Sequence, residues 1–108
     1  MPILTFKNIN RQSVLDMSTA LVNELQEFMQ APRDYFILEH VDSMFIKDGK
    51  EADQYPLVFV SLFDRGNEVE DKTAKIITKY VQQSGYKDVD VIFNVLEKQR
   101  YYENGEHF

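Results

Sequence analysis

The chain has 108 residues, 44% of them hydrophobic, which is the size of one domain and enough to bury only about two thirds of its unfolded surface. It has no cysteine, so disulfides, thiolate zinc sites and thiol chemistry are excluded. A net charge of -6 with scattered basic residues opposes a nucleic-acid partner, which needs clustered Lys and Arg.

So small a core leaves a monomer marginal, and association is expected. The opening MPILTFKNIN has no basic segment followed by an apolar one, and no apolar run approaches membrane-spanning length. The expected compartment is the cytoplasm, with no membrane partner.

Sliding the chain against itself shows that a shift of 55 residues superimposes its apolar positions. Ile3 and Leu4 fall on Val58 and Phe59, Leu21 and Val22 on Ile76 and Ile77, and Ile37 and Leu38 on Ile92 and Phe93. The first element, ILTF, is short, apolar and rich in strand formers, and the turn-like NIN follows it. Val14, Met17, Leu21, Leu25, Phe28 and Met29 then recur at steps of three and four, predicting an amphipathic helix over 12–30. A second strand is expected from Tyr35 to Phe45, and the polar KDGKEADQYP over 47–56 reads as an exposed connector.

The second half repeats this order. LVFVSLF reads as a buried strand and DRGN as a turn. Val69, Thr73, Ile76, Ile77, Tyr80 and Val81 form the next helical stripe, with Asn67 and Glu70 spaced as a capping box and Gly85 placed to end the helix. Val89 to Leu96 is the last strand, and the tail KQRYYENGEHF over 98–108 shows no clear period. Each strand, helix and strand is a βαβ unit with parallel strands and a right-handed crossover. The expected fold is therefore α+β: pseudo-repeats 1–46 and 57–97 form one four-stranded, ferredoxin-like sheet. Both helices cover one face, and the other face is left for a partner subunit.

An initiating Met-Pro followed at once by a strand, then two βαβ repeats of this length, resembles the tautomerase superfamily across nearly the whole chain. FVSLFDRG at 59–66 and VIFN at 91–94 are similar to segments of its macrophage migration inhibitory factor branch. DRG together with a YYENGEHF-type end is also similar to a bacterial tautomerase-like group, whose likeness implies a fold and no settled reaction. The resemblance implies a homotrimer with pockets near its interfaces, and an N-terminal proline as general base acting on a small 2-oxo acid or enol. No metal or other cofactor is implied. Pro2, once Met1 is removed, would be a secondary amine whose burial lowers its pKa.

Arg65 is the first candidate for the substrate's carboxylate or enolate oxygen, and Asn94 the second. Arg33 and Arg11 lie near family basic positions but out of register, and Glu39 stands where the oxalocrotonate-type enzymes carry an arginine, so substrate specificity does not transfer. Simpler readings stand beside these: Arg65 as a turn residue paired with Asp64, Asn94 satisfying a backbone group, His40 as a core or interface histidine. Glu39, Asp42, Asp48, Glu51 and Asp53 lack calcium-loop spacing and read as solvated surface. Tyr101, Tyr102 and Phe108 are costly to leave exposed together, so the tail is expected to dock. If Met1 is retained, Pro2 has no basic lone pair. The chain is then a trimeric binding module for a small anionic ligand or a protein partner.

Overall fold

A computed structural model describes residues 2–108. Strand β1 (Ile3–Lys7) leads to helix α1 (Arg11–Met29) and then to β2 (Ile37–Val41). The short strands β3 (Phe45–Lys47) and β4 (Lys50–Ala52) follow as a hairpin, then β5 (Leu57–Phe63), helix α2 (Asn67–Gln83), β6 (Asp90–Leu96), and a second hairpin, β7 (Tyr102–Glu103) with β8 (Glu106–His107).

The main sheet has the order β2-β1-β5-β6. β1 pairs with β2 and β5 with β6 in parallel, and the two units meet where β1 and β5 run antiparallel. Each βαβ unit thus keeps its own strands adjacent. Leu4 and Phe6 of β1 and Val58, Val60 and Leu62 of β5 are buried in one core with Val14, Met17, Leu21 and Leu25 of α1 and Ile76, Ile77 and Val81 of α2. Both helices therefore cover the same face.

The opposite face is uncovered in the single chain. Register aligns Ile37, Ile3, Ser61 and Asn94 in one row across it and Glu39, Thr5, Phe59 and Ile92 in the next. Ile37 and Ile92 are 40% and 38% exposed, so apolar surface remains there for a further layer to cover.

Helix α1 starts one residue before the expected stripe. Asn10 caps it, its Oδ1 accepting from the N–H groups of Gln12 (2.8 Å) and Ser13 (3.4 Å). The capping box expected at Asn67 and Glu70 does not form: Gly66 occupies the cap position without a side-chain bond. Glu68 and Glu70 in the first turn of α2 instead complement the helix dipole. Glu24 of α1 accepts from Lys79 Nζ at 2.6 Å and from the Tyr80 hydroxyl at 2.9 Å. The lysine first, then the tyrosine, hold the Glu24 carboxyl below its usual range and tie the helices together.

Three expectations of length need correction. The strand expected over 35–45 is confined to Ile37–Val41 because a 3-10 turn occupies Arg33–Tyr35. The connector over 47–56 is largely exposed as expected but partly strand, contributing to the β3–β4 hairpin about Asp48 and Gly49, both at positive φ. The tail over 98–108 holds a 3-10 turn at Lys98–Arg100 and the β7–β8 hairpin about Asn104 and Gly105, again both at positive φ. Such pairs are what a two-residue type I′ turn requires.

Thr73, fully buried on α2, has a hydroxyl with no hydrogen-bond partner among the described residues. An unmatched buried hydroxyl carries a desolvation cost that a methyl group avoids. Thr73→Val should therefore raise stability by about 1 kcal/mol in urea unfolding, and a fall would show that the hydroxyl is satisfied in solution.

Candidate active site

One end of the sheet gathers four chain segments. β1 begins where β5 ends, since Ile3 pairs with Ser61; β2 begins there too, since Ile3 pairs with Ile37; and β6 ends beside Phe63 through Leu96. Whatever precedes β1 and β2 and follows β5 and β6 must meet at this edge. A cleft of about 330 Å³ lies there, lined among others by Pro2, Pro32, Tyr35, Phe63, Arg65 and Lys98.

Pro2 is buried. Its carbonyl accepts from Ile37 N–H at 3.0 Å, which fixes the residue against the start of β2. Its nitrogen carries no hydrogen while it is acylated. Removal of Met1 would make it a secondary amine in a desolvated position, where the charged form is disfavoured.

Arg65 follows β5 by two residues and donates from Nη2 to the carbonyl of Met29 at 2.8 Å. Met29 is the last residue of α1, and Gln30 behind it takes the left-handed conformation at φ 54, so the guanidinium satisfies one of the orphan carbonyls of a helix C-terminus. The alternative pairing of Arg65 with Asp64 is not made: Asp64 Oδ1 accepts from Gly66 N–H at 2.9 Å. One side chain thus joins the end of α1 to the floor of the cleft.

The other sequence candidates lie elsewhere in the chain. Arg11 sits at the start of α1, beyond the far end of β1, and pairs with Asp42 at 3.3 Å. Five strand residues, roughly 17 Å at the usual rise, separate that end from Pro2. Arg33 is at the correct edge but donates to Asn23 Oδ1 at 2.6 Å and Gln26 Oε1 at 3.3 Å, lying over α1. Asn94 stands on the open face of the sheet. Arg11, Arg33 and Asn94 do not line the cleft of their own chain. His40 is part-buried, its Nε2 against the Ile9 carbonyl at 2.8 Å, a structural role.

Sequence reading assigns no site role to Lys98, and it takes Tyr35 only as the start of a strand and Phe108 only as part of a docking tail. All three line the cleft. Phe108 stacks on Phe63 with ring centroids 5.2 Å apart and meets Tyr101 edge-on at 5.2 Å, so the end of the tail folds over the cleft of its own chain, while Tyr102 stays 59% exposed. The signal for Lys98 was positional: it follows β6 by two residues as Arg65 follows β5, and those strands are parallel neighbours.

The family model described as Domain of unknown function (DUF1904) matches residues 1–107. The chain belongs to the DUF1904 family. A DUF1904 domain from Sebaldella termitidis is 35% identical over 100% of both chains and superposes with a TM-score of 0.91. Beyond the DUF1904 family, MIF2 of Leishmania major shares the fold at a TM-score of 0.74 and 16% identity, with 100% of this chain and 97% of that one covered. A fused 4-OT solved as a symmetric trimer does so at 0.70 and 20%, with coverage of 98% and 94%. The DUF1904 chain therefore has the tautomerase-type βαβ-repeat fold. No curated protein matches its sequence, and no helix among the described residues is long and apolar enough to cross a membrane.

Arg65→Met should show the guanidinium's structural half directly. Losing the bond to Met29 should lower stability by about 1 kcal/mol in urea unfolding. Unchanged stability would mean that Arg65 leaves the helix end in solution.

Proposed function

We propose that this chain is a tautomerase-like enzyme in which Pro2, freed by removal of Met1, is the general base for a small 2-oxo acid or its enol. The observation that carries the reading is the burial of Pro2 in a cleft that also holds Arg65. The neutral amine takes a proton from the carbon next to the carbonyl, and the electron pair of that C–H bond forms the C=C bond as the carbonyl oxygen becomes an enolate. Arg65 supplies hydrogen-bond donors to that oxygen. The proton on the proline then returns to oxygen to give the enol, or the steps run in reverse to give the ketone. Atoms and charge balance without a cofactor.

The cleft's walls fit this chemistry. Pro32, Leu62 and Phe63 line the cleft with Pro2, an apolar surround that disfavours the charged amine and strengthens the contact to the developing oxyanion. The working form is a cytoplasmic homotrimer. Its support is the uncovered apolar sheet face together with the trimeric assembly of the fused 4-OT relative. In such a trimer Asn94, Arg33 and Arg11 would reach a cleft only from a neighbouring copy. Light scattering at the mass of one chain would contradict the trimer.

Intact mass of protein made from its natural start establishes whether Met1 is lost, and absorbance then follows phenylenolpyruvate consumption. Blocked protein retaining Met1 should be slower by about 10²- to 10⁴-fold, the usual contribution of a general base. Pro2→Ala, which keeps a primary amine, should lose less. Arg65→Ala should lose roughly 10- to 150-fold, mainly in kcat. Equal turnover by blocked and processed protein would remove the amine as base. No turnover by processed protein would leave the fold as a binding module for an anionic ligand or a protein partner.

A further inference from the structure

Lys98 belongs to no part of the chemistry assigned so far, yet it lines the same cleft as Pro2 and Arg65. Its place is set by the sheet. Phe63 and Leu96 are register partners on parallel strands, so the residues two beyond each, Arg65 and Lys98, leave the sheet side by side. Adjacent strands lie about 4.8 Å apart, and both basic residues line the same cleft. The Lys98 ammonium sits 5.8 Å from the centroid of the Phe63 ring, a contact that steadies its stem without neutralising it.

The acidic side chains next in sequence to Arg65 and Lys98 are engaged locally. Asp64 accepts from Gly66 N–H at 2.9 Å, and Glu97, the residue before Lys98, is paired with Arg100 at 2.9 Å. Among the described residues no carboxylate lies within salt-bridge distance of Lys98, although the chain carries a net charge of -6. Both residues are exposed to water, so the pair needs no partner to be tolerated; two cations lining one cleft nevertheless make a local positive potential that favours an anion there. Arg65 is the less available of the two, since it is partly engaged by Met29.

We infer that Lys98 is the residue that binds the substrate's carboxylate, and that Arg65 is thereby left to serve the carbonyl oxygen where enolate charge develops. The inference rests on the 2-oxo acid reading above. A carboxylate keeps its charge throughout the reaction, so a contact to it acts equally on ground and transition states and is felt in KM, whereas a contact to the enolate oxygen is felt in kcat.

Lys98→Met retains the aliphatic stem over Phe63 and removes only the charge. With processed protein it should raise KM for a 2-oxo acid about tenfold and leave kcat within about twofold. Turnover of the neutral methyl ester of the same acid should be unaffected, and Lys98→Arg should restore most of the lost affinity. Equal effects on acid and ester, or no effect on either, would overturn the assignment. Should processed wild type turn over neither compound, the enzyme reading fails by itself, and oxamate decides Lys98 separately. Oxamate carries the carboxylate and carbonyl but has no carbon-bound proton to lose. An NMR titration with about tenfold weaker oxamate binding in Lys98→Met supports the assignment, whereas equal binding, or none to wild type, overturns it.

Discussion

The antiparallel pairing of β1 with β5 is the constraint on which the cleft depends. Each βαβ unit alone would place the starts of its two strands at one edge and their ends at the other. Joining the units through oppositely directed first strands brings the starts of β1 and β2 to the ends of β5 and β6. Pro2 and Arg65, separated by more than half the chain, become neighbours for this reason alone. Lys98 follows from the same geometry.

That junction also gives the chain an internal pseudo-symmetry. Pro2 and Pro56 each precede the first strand of a unit, each is buried, and their carbonyls accept from Ile37 N–H at 3.0 Å and Asp90 N–H at 3.1 Å respectively. The opposite edge has its own cleft, lined by Asn8, His40, Asp42, Gln54 and Tyr86 among others. Its proline sits within the chain and cannot become an amine. There Arg11 is paired with Asp42, whereas at the Pro2 edge no carboxylate among the described residues lies within salt-bridge distance of Lys98. The two hairpins diverge in the same sense. Each hairpin leaves a large hydrophobic side chain exposed, Ile46 of β3 at 67% and Tyr102 of β7 at 59%, but only the segment after β8 folds an aromatic, Phe108, onto Phe63.

Much of the fold was legible because burial is periodic. The apolar stripes of both helices and the alternation in β5 and β6 survive in the sequence whatever the tertiary context. The hairpins were overlooked although Asp48-Gly49 and Asn104-Gly105 are the strongest short-range turn signals available; their strands are only two or three residues long, too short to show a period. The Gly66 cap was obscured by a neighbouring Asn with the right spacing. In the candidate site, Pro2 and Arg65 could be named from chain position and family likeness, but Arg33 and Arg11 could not be sorted. Which way a basic side chain turns is decided by acceptors on another element, Asn23 and Gln26 for Arg33 and Asp42 for Arg11. Lys98 was hidden by its place in a tail without periodicity, and only the parallel register of β5 and β6 brings it to the cleft.

The central claim is that this edge of the sheet prepares a proline amine to be neutral and basic. Nitrogen-15 NMR titration of processed protein labelled at proline reads that directly, with the free peptide Pro-Ile-Leu-Thr as reference. Burial of Pro2 and the cations Arg65 and Lys98 beside it should both disfavour the protonated amine. The account predicts that Pro2 titrates below the peptide and moves back towards it when Arg65 and Lys98 are replaced together by Met. A Pro2 amine that titrates at or above the peptide's value would contradict it.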